Sequence, residues 1–322
     1  MAAPIDTLVT VFGGSGFLGR HVVRALAKRE YRIRVASRRP ELAGHLQPLG
    51  RVGQIHNVQA NIRNPASIKA AMRDASIVVN LVGILTEGGK QSFDAVQAQG
   101  AGAVAQAAAE IGARMVHVSA IGADANSESA YSRTKAVGEQ NVLAAVPSAS
   151  ILRPSLVFGP EDSFTNRFAA LARIAPVMPV FGAETKMQPV FVGDVARAVA
   201  DAAAGKTKPG AVYELGGPEV LTMQEIVEIV LKTIERERMV LPVPMGIAKL
   251  KSYFLQFAPG DFKLTPDQVA MLKIDNVVSE AAKAAGQTLE GLGIAPDSLE
   301  AVAPQYLWRF RATGQFAHNG AN

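Results

Sequence analysis

Three glycines at a fixed spacing constrain this chain more than any other feature. Gly13, Gly16 and Gly19 follow the apolar run Leu8 to Phe12 and precede the amphipathic stretch His21-Val22-Val23-Arg24-Ala25-Leu26-Ala27-Lys28. The order is strand, glycine turn, helix, the context in which this spacing carries meaning. Gly13 lets the chain reverse, Gly16 lets backbone N–H groups approach a pyrophosphate, and Gly19 lets the helix lie against the strand. The phosphates then face the positive end of the helix dipole. Gly13, Gly14, Ser15, Gly16, Phe17, Leu18 and Gly19 are therefore the expected dinucleotide-binding turn, set against the plainer reading of a glycine-rich loop.

Strands and helices alternate from there. Arg32 to Ser37 reads as a second strand, and its end lies where an adenine ribose belongs. An NAD-type site has a carboxylate there to accept from the ribose hydroxyls, but this chain has Ser37-Arg38-Arg39. Guanidinium groups hold a ribose phosphate through charge-assisted bidentate bonds, whereas a carboxylate repels it. NADP(H) is the cofactor this predicts, with Arg38 and Arg39 at the 2′-phosphate; the alternative is two solvated arginines in a loop. Val58 to Arg63 reads as a third strand, with Asn61 and Ile62 flanking the adenine. A turn at Asn64-Pro65 opens a short helix to Arg73.

Ile77 to Gly83 is almost continuously apolar and β-branched, as in a parallel strand buried on both faces. Asn80, Val82 and Gly83 at its carboxyl end are expected to line the cofactor. A helix from Phe93 to Ile111 then leads to the strand Met115 to Ser119, and Val190 to Val192 and Ala211 to Leu215 read as further strands returning to the sheet. The alternation predicts an α/β fold of Rossmann type, a doubly wound parallel sheet. It spans residues 1–153, with parts of 186–216 returning to it, and a smaller, mostly C-terminal α/β lobe for substrate or docking spans 154–322.

Tyr131 and Lys135 stand four apart on a predicted helix and so share one face. An ammonium beside a phenol stabilises the phenolate and moves its pKa towards the working range of an acid or base. With the glycine loop, Asn80 to Gly83, Ser119, Leu152-Arg153-Pro154 and Gln188 to Val195, this pair resembles the extended, atypical branch of the short-chain dehydrogenase/reductase superfamily. The resemblance implies Tyr131 as proton donor or acceptor, Lys135 on the nicotinamide ribose, Ser119 at a substrate carbonyl and Pro154 beside the cofactor. One departure is Ser119-Ala120, where extended members commonly carry two hydroxyl residues.

From Arg153 to Phe168, around Ala136 to Glu139 and at Leu292-Gly293-Ile294, the chain is similar to the NADPH-binding accessory subunits of respiratory complex I, called alpha subcomplex subunit nine in mitochondria. That likeness implies a tightly bound, non-exchanging NADP(H), a structural or assembly role, and complex I subunits as partners. An active NADP-dependent reductase or epimerase on a small carbonyl or sugar-nucleotide substrate is the alternative, kept open by Tyr131 and Lys135.

Composition excludes more than it assigns. There is no cysteine, hence no disulfide or thiolate site, and the five histidines do not pair at metal-ligand spacing, so no metal is expected. A net charge of +5 is mild, and no basic run interleaved with aromatics points to nucleic acid. A strand starting within the first ten residues leaves no evident leader, which favours a cytoplasmic protein and a bacterial relative. Ile247, Leu250, Phe254 and Phe257 fall on one helical face. They fit an interfacial helix on the cytoplasmic face of the inner membrane or on a partner, or equally one that packs the small lobe; Trp308 with Arg309 and Arg311 is a second candidate anchor.

Overall fold

The structure, a computed structural model, describes residues 4–247, 250, 252, 264–312 and 314. The chain forms two units: Met1–Pro154, Val192–Leu215 and Val278–Ala295 make the first, and Ser155–Phe191, Gly216–Val277 and Pro296–Asn322 the second. Most of the stretch Ile247 to Phe257, proposed above as an interfacial helix, lies outside the described residues.

The first unit is built on strands β1 (Leu8–Phe12), β2 (Arg32–Ser37), β3 (Ile55–Gln59), β4 (Ile77–Asn80), β5 (Arg114–Val118) and β6 (Ser150–Pro154), with Val212–Leu215 at one edge. The order is Val212–Leu215, β6, β5, β4, β1, β2, β3, and every ladder is parallel. This is the doubly wound sheet that the alternation of elements predicts. β1 and β4 are buried along their whole length, which is why both read as nearly continuous apolar runs, broken by the buried Thr10 and Asn80. The strand order reverses between β1 and β4, so a crevice opens at their carboxyl ends.

Helices α1 (Phe17–Lys28), α2 (Pro65–Met72), α3 (Gln99–Glu110) and α4 (Ala130–Ala145) supply the crossovers. α1 carries Val22, Val23 and Leu26 into the core, and Asn64 caps α2 by accepting from Ser67 N. Three expectations shift. β3 ends at Gln59, so Asn61 and Ile62 sit in the loop beyond it. The helix expected from Phe93 begins as a π-turn, Asp94–Ala98, before α3. There α4 approaches so closely that a Cβ on Gly138 would lie 2.2 Å from Gln97 O, which is why a glycine sits inside α4.

The third shift concerns Val190 to Val192. Val190–Phe191 pairs with Val157–Phe158 in a ribbon of its own, and Val192 opens the helix Val192–Ala203. Three apolar residues cannot distinguish a strand from the buried start of a helix. Ala211 to Leu215 does join the sheet, through Val212–Leu215. Residues far along the chain support that edge: Glu214 Oε2 accepts from Ser279 N at 2.8 Å, and Glu214 N donates to Gln287 O at 2.9 Å.

The second unit packs around Phe158, Met178, Ile226, Val230 and Leu307. Its helix Met223–Thr233 starts at the capping box Thr222/Glu225. Asp162 organises the loop before helix Thr165–Ile174, accepting from Gly159 N, Phe164 N and Thr165 N at 2.6–2.9 Å and from Thr165 Oγ1. Much of the Arg153–Phe168 run thus has a structural purpose. Arg309 donates to Pro160 O, and Arg311 pairs with Glu235 at 3.2 Å, so the tail arginines are engaged within this unit.

Arg153 joins Glu139 by two bonds, Nε to Oε1 at 2.9 Å and Nη2 to Oε2 at 2.6 Å, with Glu214 at 3.8 Å. The Glu139 side chain is 7% exposed. Arg153→Met is expected to leave a buried carboxylate unpaired and cost about 3 kcal/mol in urea unfolding at neutral pH. A change below about 1 kcal/mol would show that the pair is replaceable.

Candidate nucleotide site

The turn after β1 folds as its glycines require. Gly13 adopts φ +79°, and Gly16 N donates to Gly13 O at 3.1 Å. A Cβ on Gly19 would lie 2.2 Å from Gly13 O and 2.6 Å from Gly14 C, so only glycine allows α1 to start this close to β1. Gly16 differs: its Cβ would meet only Gly13 O, at 3.4 Å, leaving space on the side of the crevice. No side chain caps α1, so its first N–H groups remain available to an anion.

Gly13, Ser15, Gly16, Phe17, Leu18 and Gly19 line a cleft of about 330 Å³. Ser37, Arg38, Asn61, Ile62, Val82 and Gly83 line it too, so most of the predicted cofactor residues come together. Gly14 instead faces the core, where a Cβ would meet Val35 at 3.0 Å. Arg39 lies outside the cleft and borders an adjoining cavity of about 720 Å³ with Ser15, Ser37, Arg38, Leu42 and Gln91. Neither Asn80, Ser119, Tyr131, Lys135 nor Pro154 lines the cleft.

Asn80 acts from below the surface. Its Oδ1 accepts from Val82 N at 3.2 Å, which fixes the amide so that Nδ2 donates to His117 Nδ1 at 3.2 Å. His117 is thereby an acceptor at Nδ1, with its proton on Nε2. Burial, and then the Lys135 charge, lowers its pKa from 6.5 to about 3, so it is neutral at physiological pH. Lys135 donates to Val118 O at 3.3 Å, and its Nζ stands 5.9 Å from the Tyr131 ring centroid. Burial lowers Lys135 to about 8, with Glu139 opposing that shift. Phe93 meets Tyr131 edge-on at 5.8 Å. Lys135 Nζ would be 3.3 Å from a Cβ at Gly83, which links this pair to one end of the cleft rim.

The residues present suit a dinucleotide carrying several phosphates. Among the described residues, no Asp or Glu lines either cavity. Arg38 and Arg39 are exposed, and neither guanidinium has a hydrogen bond or ion pair among the described residues. Ser37 Oγ and Ser119 Oγ are buried without a hydrogen-bond partner. Arg63, Gln91 and Val96 also line the cleft. Arg63 and Gln91 escape the sequence because loop positions carry no periodicity, and only the placement of Arg63 directly after Asn61-Ile62 pointed to it; Val96 lies in the π-turn Asp94–Ala98, whose winding departs from the α-helical period. Among the described residues no group of three or more His, Asp or Glu could hold a metal, and no helix is long and apolar enough to cross a membrane.

Comparison with known proteins agrees with this geometry. The NAD dependent epimerase/dehydratase family matches residues 9–216. NADH dehydrogenase (ubiquinone) 1 alpha subcomplex subunit 9 of Arabidopsis thaliana mitochondria is 34% identical over 95% of this chain and 79% of its own length. Ceramide reductase of Caulobacter vibrioides is 35% identical over 61% of each chain. Among solved structures, the Escherichia coli quinone oxidoreductase QOR2 complexed with NADPH superposes with a TM-score of 0.71 at 18% identity, covering 92% of this chain and 99% of that one, a likeness of fold.

Two outcomes follow from the geometry. Gly16 has the extended backbone of an N-cap, φ −77° and ψ −176°, so Gly16→Asp caps α1 while placing a carboxylate where phosphates would bind. The melting temperature of the nucleotide-free chain is expected to hold or rise, and any rise on adding NADPH to vanish. Gly19→Ala, by contrast, forces backbone apart and is expected to cost about 2 kcal/mol, lowering the melting temperature by roughly 6 °C with or without nucleotide.

A third outcome concerns acid. His117 titrates near 6.5 when unfolded and near 3 when folded, so its contribution is complete above pH 6.5 and declines as pH falls towards 3. The decline is about 1.4 kcal/mol per pH unit. Urea unfolding across that window is expected to show a shallower acid loss in His117→Gln, which offers an acceptor but does not titrate; parallel curves would assign the loss to other groups.

Proposed function

Because the chain belongs to the NAD dependent epimerase/dehydratase family, we propose that it holds NADP(H) in the cleft after β1 and serves as a structural or assembly accessory subunit of NADH:ubiquinone oxidoreductase, complex I. The observation that carries this reading is the extent of the likeness to alpha subcomplex subunit 9, which runs over 95% of the chain and includes the second unit. The arginines at the ribose end support NADP(H) over NAD(H). Arg38 borders both the cleft and the adjoining cavity, and among the described residues no carboxylate borders either to oppose a 2′-phosphate.

In this role the nucleotide is a tightly held part of the fold, and binding only to the folded chain raises stability by mass action. α1 presents its N-terminus to the pyrophosphate, Asn61 and Ile62 flank the adenine, and Lys135 reaches the nicotinamide ribose. Docking on the cytoplasmic face of the inner membrane, against complex I subunits, completes the proposal.

A second reading rests on the approach of Lys135 to Tyr131 and on the likeness to ceramide reductase. A nicotinamide nucleotide supplies hydride transfer when bound. Tyr131 would then donate or remove the proton at a carbonyl or hydroxyl oxygen, Lys135 would ease ionisation of that phenol, and Ser119 Oγ would hold the carbonyl. A small carbonyl or sugar-nucleotide compound is the substrate class.

Purification from native membranes in mild detergent, with identification of co-migrating proteins and of nucleotide released on denaturation, separates the two. Complex I subunits with near-stoichiometric NADPH support the first. Free protein with exchangeable NADP(H) overturns it in favour of the reductase, for which Tyr131→Phe abolishing turnover is the next check. On either reading, Arg38→Ala is expected to weaken NADPH by about 2 kcal/mol, roughly thirtyfold, with NADH changed less than about twofold. Equal losses in titrations with the two nucleotides would refute the 2′-phosphate assignment.

A further inference from the structure

Arg63 and Gln91 line the same cleft from two different loops, and a hydrogen bond ties those loops together. Arg63 Nη1 donates to Lys90 O at 2.8 Å. The loop bearing Arg63 is held at its root, where Asn61 Oδ1 accepts from Arg63 N at 3.1 Å and Asn61 N donates to Ser67 Oγ at 3.0 Å. The other loop is a small hairpin closed by reciprocal backbone bonds between Gly88 and Gln91, 3.0 Å each, around Gly89 at φ +57°. Its base is fixed where Glu87 Oε1 accepts from Phe93 N at 2.7 Å and Gln97 Nε2 donates to Ile84 O at 3.0 Å.

Between these anchored bases the hairpin tip has little to hold it. Gly88, Gly89 and Lys90 are exposed, and Leu85 is 61% exposed, so apolar packing does not pin the loop. Gln91 also borders the adjoining arginine-lined cavity, so displacing the hairpin widens both spaces. We infer that Arg63 is a latch on the nucleotide site: by holding Lys90 O it closes the Gly88–Gln91 hairpin over the cleft and sets the rate at which a dinucleotide enters and leaves. The latch rests on the nucleotide reading above, yet it concerns exchange and not affinity. A latch that shifts only the open–closed balance speeds entry and release together, whereas a direct ligand alters release and with it the equilibrium.

The test uses the full chain and NADPH fluorescence in stopped flow. Loss of a hydrogen bond from a charged donor changes the open–closed balance about tenfold. Arg63→Ala is therefore expected to raise association and release by about tenfold each and leave Kd within about threefold, with Arg63→Lys in between because it keeps a donor. In the nucleotide-free chain, hydrogen exchange at the Gly88 and Gln91 amides is expected to quicken in Arg63→Ala. Because the chain has no cysteine, Arg63→Cys with Lys90→Cys can be bridged by a short bismaleimide, which is expected to slow both entry and release below those of the unmodified protein.

Unchanged rates would overturn the latch. Faster release with Kd weakened in proportion would overturn it too, making Arg63 a direct ligand. Absence of NADPH binding by the unmodified chain would defeat the nucleotide reading, and amide exchange at Gly88 and Gln91 would then decide whether Arg63 holds the hairpin.

Discussion

The contact between the start of α1 and the turn below it governs the first unit. Gly19 lies so close to Gly13 and Gly14 that no side chain fits, and this proximity aims the N-terminus of α1 at the crevice. A methyl group there would lift the helix from β1 and carry its first N–H groups away from the point where the strand order reverses. The two other glycines of the set are spent differently. Gly13 supplies a positive φ, and Gly16 leaves room above the backbone. One spacing pattern therefore combines a packing need, a conformational need and a need for empty space.

Around that contact, charge is distributed by exclusion. Among the described residues, the cleft and its neighbour are bordered by arginines and by no carboxylates. The buried carboxylate of α4 is turned instead to Arg153, which holds it through two bonds. Lys135 and His117 share the same buried region, but His117 stays neutral and serves as an acceptor for Asn80. Two buried cations side by side would be costly, and leaving one neutral avoids that cost while fixing the loop that begins at Leu81.

Legibility in the sequence followed physical regularity. β1, α1 and β4 are readable because glycine spacing and continuous apolar runs reflect backbone demands that few other arrangements satisfy. Tyr131 and Lys135 are readable because helical spacing puts them on one face, and the structure does bring them near each other. Val190 to Val192 misled because three apolar residues suit either a strand or a helix start. The π-turn at Asp94–Ala98 left only an indirect trace, the glycine at position 138 that accommodates Gln97 O. Gln91 left none and Arg63 only its place directly after Asn61-Ile62, since a loop residue acquires its meaning from what the fold brings opposite it. The role of His117 was equally hidden: a histidine in a strand reads as core, and its bond to Asn80 depends on the register of β4 with β5.

The division of the chain between its units has a consequence for biosynthesis. The chain passes from one unit to the other five times, and the first unit draws its last piece from Val278–Ala295. That piece supplies Ser279 N and Gln287 O to Glu214, at the sheet edge beside β6, and packs Val278 and Ala282 against Ile121. A chain growing from the ribosome displays the glycine loop long before Val278–Ala295, and cannot finish the unit that carries the loop until that last piece has emerged. Completion of the sheet edge thus waits on the emergence of that piece, and a nascent chain must keep a nearly complete sheet with an unsupported edge until then.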